Sequence, residues 1–291
     1  MSAIPFTTGS DGVFYDVPSA DYFAEPALSH SLMKEMSPTP AHGLAYMLTY
    51  REPKPAHIIG TLTHSLILEP EKPLPGIALQ PEEYPDGKTT KKWSGNATYC
   101  RDWKKEQLSK GLIVLPKTGR DSYEEIVGMS QAASRHPLVR EYLSEGTSEV
   151  SLFTHLNTTY GPVRGKGRLD FVPKSKRLID FKTTQDASEE EFSKALVNFR
   201  YASQAAWYLN LWDRLCGSED KRSEFVFFAI EKTPPYLVAA YTLDEEALRW
   251  GYSLCLTDMD TYAKCSRDGV WPGYPQNLRK LSLPGFMKRK L

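Results

Sequence analysis

Val163-Arg164-Gly165-Lys166-Gly167-Arg168-Leu169-Asp170-Phe171, followed after Pro173-Lys174-Ser175-Lys176 by Leu178-Ile179-Asp180-Phe181-Lys182-Thr183-Thr184, decides how the chain reads. Period-two alternation makes each run a strand, and the composition between them makes a solvated turn. In the first strand Val163, Gly165, Gly167 and Leu169 share one face, while Arg164, Lys166, Arg168 and Asp170 share the other, a basic face ending in a carboxylate. In the second, Leu178, Asp180, Lys182 and Thr184 oppose Ile179, Phe181 and Thr183. With the loop at Lys174 to Lys176, Asp170 falls opposite Asp180 and Arg168 opposite Lys182, their Cβ atoms about 4.5 to 5.5 Å apart. Two carboxylates so placed repel unless they share a proton or a cation, and hard oxygen donors suit magnesium or manganese. Lys182 then projects beside that ion, where an ammonium orients a water and stabilises phosphoryl charge. An ordinary hairpin with solvated charges is the plain alternative.

Composition bounds the function classes. The 291 residues suffice for one large α/β domain with a sizeable core, and 41% hydrophobic with 25% charged residues is ordinary for a globular chain. No run of 18 apolar residues occurs, and the first 25 residues carry Asp11, Asp16, Asp21 and Glu25, so neither a membrane span nor a secretory signal is expected. Cys100, Cys216, Cys255 and Cys265 are sparse and unclustered, which fits a reducing, cytoplasmic compartment. Net charge is zero, yet Gly161 to Lys182 holds seven basic residues against two acids. The tail 279–291 carries Arg279, Lys280, Lys288, Arg289 and Lys290 with no acid, so a polyanion would meet charge at two places.

Around the central pair the order is legible. Residues 1–27 read as an N-terminal extension of loop and short strand. Helices are expected at Leu28 to Met36, Ala41 to Tyr50 and Ile58 to Leu68, the last putting His64 off its apolar face. Residues 71–101, rich in Pro, Gly, Lys and Thr, read as a long mobile excursion. Helices at Tyr99 to Lys110, Asp121 to Ser134 and Leu138 to Ser144 lead to a strand from Glu149 to Leu156. Ser188-Glu189-Glu190-Glu191 is a capping box. A further helix puts Gln204 and Tyr208 one turn apart on one face. Phe225 to Ile230 and Tyr236 to Leu243 form a hairpin, and Leu243 to Lys264 a long helix. No repeat or linker marks a boundary, so 1–291 reads as one domain.

His64 within Gly60-Thr61-Leu62-Thr63-His64, then Glu149, Asp170, Asp180-Phe181-Lys182-Thr183-Thr184 and Gln204-Ala205-Ala206-Trp207-Tyr208 form an ordered set. That set resembles the PD-(D/E)XK nuclease superfamily, in its RecB-type branch, and within it the RecE (exonuclease VIII) nuclease domain and phage relatives. The resemblance runs from about Leu28 to Tyr274. It implies a restriction-endonuclease-like α/β core, a mixed central sheet flanked by helices, and magnesium-dependent hydrolysis of DNA, with manganese able to substitute. By residue-wise carry-over Asp170, Asp180, His64 and the Phe181 backbone carbonyl ligate metal, with Glu149 as a further ligand. Lys182 positions and activates the attacking water, and Gln204 and Tyr208 orient the lysine or the strand being cut. Arg168, with Arg164 and Lys166 on its face, contacts phosphates, and Ser31 and Lys34 hold a 5′-phosphate. No iron-sulfur cluster is expected, since Cys255 and Cys265 lack the spacing of the cluster-bearing branches.

The resemblance further implies a DNA exonuclease acting from duplex ends, 5′ to 3′, in recombination or phage DNA processing. A ring-shaped homo-oligomer, a single-strand annealing partner and the cytoplasm of a bacterial or phage-infected cell belong to that expectation. Two other readings stay open. One is an endonuclease for branched or single-stranded DNA, which would convert closed circles; the other is a non-catalytic DNA-binding protein, which has no use for Asp170, Asp180 and Lys182 in one register.

Overall fold

The structure is a computed structural model and describes residues 6–49 and 54–282. The chain begins with β1 (Gly12–Phe14), α1 (Ser19–Ala24), β2 (Leu28–Ser29) and α2 (His30–Met36). Next come α3 (Pro40–Leu48) and α4 (Pro55–Leu68), each opened by a proline whose missing N–H costs nothing in a first turn. Three short strands, β3 (Ile77–Leu79), β4 (Glu83–Asp86) and β5 (Thr89–Lys92), lead to α5 (Thr98–Ser109) and β6 (Ile113–Leu115). The stretch 71–101, expected as a bare excursion, thus carries a hairpin and a strand paired to β6. After α6 (Tyr123–Arg135) and α7 (Pro137–Tyr142) come the long strands β7 (Gly146–Thr158) and β8 (Gly161–Pro173), then β9 (Arg177–Thr184). The chain finishes with α8 (Glu189–Asn198), α9 (Tyr201–Cys216), β10 (Glu224–Glu231), β11 (Val238–Thr242) and α10 (Glu245–Asp268). Side-chain caps start several helices where the sequence places Ser or Asp, as at Ser188 and Asp244. Of the basic tail, Lys288, Arg289 and Lys290 lie outside the described residues.

Among the described residues the main sheet runs β1-β7-β8-β9-β10-β11, with β2 also paired to β8. It is mixed: β9 and β10 are parallel, as are β2 and β8, and the remaining pairs are antiparallel. Alternation along β9 and β10 feeds two cores. Leu178, Phe225 and Phe227 pack with Trp207, Leu211 and Met259 of α9 and α10, whereas Ile179, Phe181, Val226 and Phe228 pack with Ile59, Leu62, Ile126 and Met129 of α4 and α6. Each such buried side chain stabilises the fold by about 1.5–3 kcal/mol. The expected α/β core with helices on both faces is therefore the observed one.

The two glycines of β8 explain how α9 comes so close. A Cβ at Gly165 would lie 2.9 Å from the Trp207 ring, and one at Gly167 2.8 Å from the Tyr208 ring. The helix therefore seats its aromatics directly on the strand, and Trp207 Nε1 donates to the Lys166 carbonyl at 3.0 Å.

The opposite face of β8 corrects the expectation of a phosphate track. The N-terminal segment covers it, with β1 paired to β7 and α1 laid against the basic side chains. Arg164 pairs with Glu25 and Asp11 and donates to the Ser10 carbonyl. The Lys166 ammonium is buried and donates to the Tyr22 and Glu25 carbonyls at 2.9 and 2.7 Å. Arg168 donates to Ser151, Ser19 and the Val17 carbonyl, with its guanidinium 4.3 Å from the Tyr22 ring centroid. These three cations bind residues 10–25 to the sheet, and that use of their donors replaces the phosphate contact expected of them.

Candidate active site

The site forms where β8 and β9 part. Their ladder holds the single pair Phe171↔Ile179, whose register puts Asp170 level with Asp180 as the spacing requires. From there β9 runs along β10 for its whole length. The free edge of β8 is taken up again only at Gly165 and Lys166, by β2. In the gap the Phe181 N–H donates to the Asp170 carboxylate, Oδ2, at 2.7 Å rather than to a strand carbonyl.

Regular alternation also breaks here. Leu169 belongs to the core under α9 and Phe171 to the core under α4, although two residues apart in an unbroken strand share a face. On the neighbouring strand Ser148 pairs with Phe171 and Val150 with Leu169, leaving Glu149 beside Asp170 without a ladder partner. Glu149 has φ 52°, in the left-handed region that an ordinary side chain enters at a cost. Both strands thus change face at the same level, and Glu149, Asp170 and Asp180 come abreast. Asp170 accordingly leaves the basic face on which simple alternation places it.

The side chains respond to crowding. Asp180 is almost fully buried, and burial pushes its pKa up to about 6, opposed by Lys182 and reinforced by Asp170. Its Oδ1 accepts from Gln204 Nε2 at 2.9 Å. Its Oδ2 faces the Lys182 ammonium, Nζ at 2.5 Å, in an ion pair held away from solvent. Burial works against the charged form of Lys182, but Asp180 and Asp170 outweigh it and hold its pKa above the ordinary lysine value. The ammonium also sits 5.0 Å from the Tyr201 ring centroid. Burial, then repulsion from Asp170, raises Glu149 to about 7. His64 Nδ1 is 3.4 Å from Asp170 Oδ2, so α4 delivers the histidine to the carboxylates.

These donors match a hard divalent cation in kind: three carboxylates, one imidazole and the Phe181 carbonyl. Among the described residues no three His, Cys, Asp or Glu side chains stand close enough together to enclose an ion. Asp180 faces Lys182 and Gln204, and Asp170 faces His64 and the Phe181 N–H.

Of the other expected site residues, Gln204 meets Asp180 rather than Lys182. Tyr208 packs on Gly167 and stacks on Phe225, with ring centroids 6.0 Å apart. It also hydrogen-bonds the side chain of Gln204, the partner of Asp180, and burial raises its pKa far above the tyrosine value. Lys34 lines an open cavity of 810 Å³ together with His64, Lys182, Lys194, Lys232 and Phe199. Ser31 is exposed on α2 and is not part of that lining. Sequence reasoning passed over Tyr201, Phe199 and Lys232 as site residues. The signal for Lys232 was its place in Glu231-Lys232-Thr233-Pro234-Pro235-Tyr236 at the end of β10, the strand parallel to β9.

Comparison with known proteins bears on the fold and the family. A solved structure of a candidate exonuclease from Eubacterium rectale is similar over 94% of this chain and 98% of its own, with a TM-score of 0.59 at 14% identity, which speaks for the fold alone. A second, SSO0001, overlaps 55% of this chain and 67% of its own at 17% identity with a TM-score of 0.31. Candida albicans Rai1, solved with pU5 and Mn²⁺, overlaps 89% of this chain and 77% of its own at 9% identity with a TM-score of 0.27. No curated protein is significantly similar. Residues 29–281 match the model of a family described as a PDDEXK-like domain of unknown function (DUF3799), and the chain belongs to that family.

Proposed function

We propose that the protein is a divalent-metal-dependent deoxyribonuclease that hydrolyses phosphodiester bonds from the ends of linear duplex DNA, 5′ to 3′, in recombination or phage DNA processing. The observation that carries this reading is the parting of β8 and β9, which brings Glu149, Asp170 and Asp180 level, with His64 against Asp170 and Lys182 against Asp180, both of them lining an open cavity. Family membership supports the same chemistry.

Asp170, Asp180, His64, the Phe181 carbonyl and Glu149 are the residues that would hold magnesium or manganese. When bound, such an ion polarises the scissile phosphate and lowers the pKa of a coordinated water. Lys182, kept charged by Asp180 and Asp170, orients the attacking water and offsets charge developing on the phosphoryl oxygens. Gln204 fixes the Asp180 carboxylate through Oδ1, and the Phe181 N–H fixes Asp170. Lys34 and Lys232 on the cavity wall supply positive charge along the path of the backbone.

Linear duplexes labelled at either end, with and without a 5′-phosphate, test the reading in magnesium. Label release from the 5′ end, lost in folded Asp180→Ala, is expected. Undiminished cleavage by highly purified Asp180→Ala protein would overturn it.

A further inference from the structure

The corner between α8 and α9 holds an aromatic side chain that the hydrolytic groups do not use. Phe199 is 49% exposed although it lines the cavity that contains Lys182. It is backed by rings that continue into the core: its centroid lies 5.6 Å from Tyr201, which lies 5.8 Å from Phe192 and 5.7 Å from buried Phe227. All three pairs are tilted by only 31–32°. The corner is held from both sides. The Phe199 N–H donates to the Ala195 carbonyl, and Arg200, with φ 59°, anchors its guanidinium on Asp258 and the Met33 carbonyl. An apolar ring kept half in water by a rigid backbone gains nothing for folding from that exposure.

Its neighbours define what it would meet. The Lys34 ammonium is 5.3 Å from the Phe199 centroid, on a flexible stem free to exchange the ring for an anion. Lys182 Nζ is 5.0 Å from the Tyr201 centroid, so Phe199 lies no more than about 11 Å from it when the two steps are laid end to end. At a rise of about 3.4 Å per nucleotide, that is three stacked nucleotides or fewer. A planar apolar surface beside a mobile cation, within this reach of the hydrolytic lysine, has the composition of a base-stacking platform for an unpaired strand.

We propose that Phe199 stacks an unpaired nucleobase of the strand held at the hydrolytic site, with Lys34 taking an adjacent phosphate. The site therefore receives an end whose bases are already parted, and stacking compensates for the lost pairing. The proposal rests on the reading of the cavity as a nuclease site. A base offered to Phe199 must leave its complement, so duplex ends that fray readily are bound in preference to closed ones.

Binding of a single-stranded deoxyoligonucleotide carrying 2-aminopurine, titrated with the full chain in EDTA to prevent cleavage, tests this. Fluorescence quenching is expected with the wild type. Phe199→Ala and Phe199→Leu should lose it and bind about 5- to 150-fold more weakly, the range of one base stack, with Phe199→Trp restoring both. An abasic position should weaken the wild type as much as Phe199→Ala does, and should not weaken Phe199→Ala further. Equal abasic penalties in wild type and both truncations, with all variants folded by circular dichroism, would overturn the proposal, including in favour of Phe199 as a protein-docking residue. End-labelled duplex digestion is run on the same wild-type sample. No digestion alongside quenching that depends on Phe199 refutes the nuclease reading and leaves the stacking site, whereas digestion without such quenching does the reverse.

Discussion

The two ends of β8 carry the same kind of side chain in opposite states. At Arg164, Lys166 and Arg168, cations largely screened from solvent meet carbonyls, hydroxyls and the Glu25 carboxylate, and their donors are occupied. At Asp170 and its neighbours, carboxylates crowd one another, Glu149 sits in left-handed backbone, and burial raises the pKa of both Glu149 and Asp180. The first end is arranged for stability and the second against it. A fold tolerates the second because the first, with two apolar cores, supplies the surplus.

The largest expected effect breaks the stabilising end. Glu25 is buried, with the Arg164 guanidinium on its carboxylate. Glu25→Ala leaves that guanidinium with one fewer partner and should cost about 3–5 kcal/mol, the usual result of removing half of a buried pair. Urea denaturation would measure it, and a loss below about 1 kcal/mol would show that Asp11 suffices.

Next in size is Lys182→Met at the other end. The expected cost is about 3–4 kcal/mol of barrier, roughly a hundred- to a thousandfold in turnover of linear duplex DNA. The urea midpoint should change far less than for Glu25→Ala, since Met fills the same volume and Asp180 can take up a proton.

Lys166→Met is the matching substitution on the stabilising end. It strands the Tyr22 and Glu25 carbonyls and should cost about 2–3 kcal/mol of stability, at about 1–1.5 kcal/mol for each of the two, the lower part of the usual range for an unsatisfied group, while activity per folded molecule is retained. The pH dependence has a definite sign. Burial first, then Arg164 and Arg168, lower the Lys166 pKa to about 8 from an ordinary 10.5. Between those values the unfolded chain binds more protons, so this group makes stability rise with pH by up to about 1.4 kcal/mol per unit. Lys166→Met should remove that rise, and an unchanged profile would mean that Lys166 is solvated.

How far these ends could be read from sequence follows from the range of the forces. Asp170, Asp180 and Lys182 lie within one hairpin, where the pleat and a short turn settle which residues come level. His64 and Gln204 were placed by their position in an ordered set of motifs, and the helices α4 and α9 bring them to the aspartates. The basic face was legible as charge but not as purpose. Nothing local to Arg164, Lys166 and Arg168 shows that residues 10–25 fold back over them. The exchange of faces at Asp170 was hidden for another reason: it depends on Glu149 in β7, and strand alternation alone carries no sign of a left-handed residue in the strand beside it.

Glu149 gives the smallest effect and separates the two ends most sharply. Its carboxyl is held at about pH 7 by burial and by Asp170, and its φ is one that glycine adopts freely. Glu149→Gly removes a crowded carboxylate and relieves backbone strain together. The strain alone is of order 1 kcal/mol, set against a smaller gain in chain entropy on unfolding. The variant should therefore be more stable by about 1 kcal/mol and at the same time less active. Calorimetric titration with magnesium or manganese distinguishes the cause: weaker metal binding makes Glu149 a ligand, and unchanged binding leaves it a residue that sets the backbone. A variant that is less stable than the wild type would mean that Glu149 belongs with the stabilising end, through its contact with Arg168 at 4.0 Å, and the boundary between the two ends would then move past Asp170.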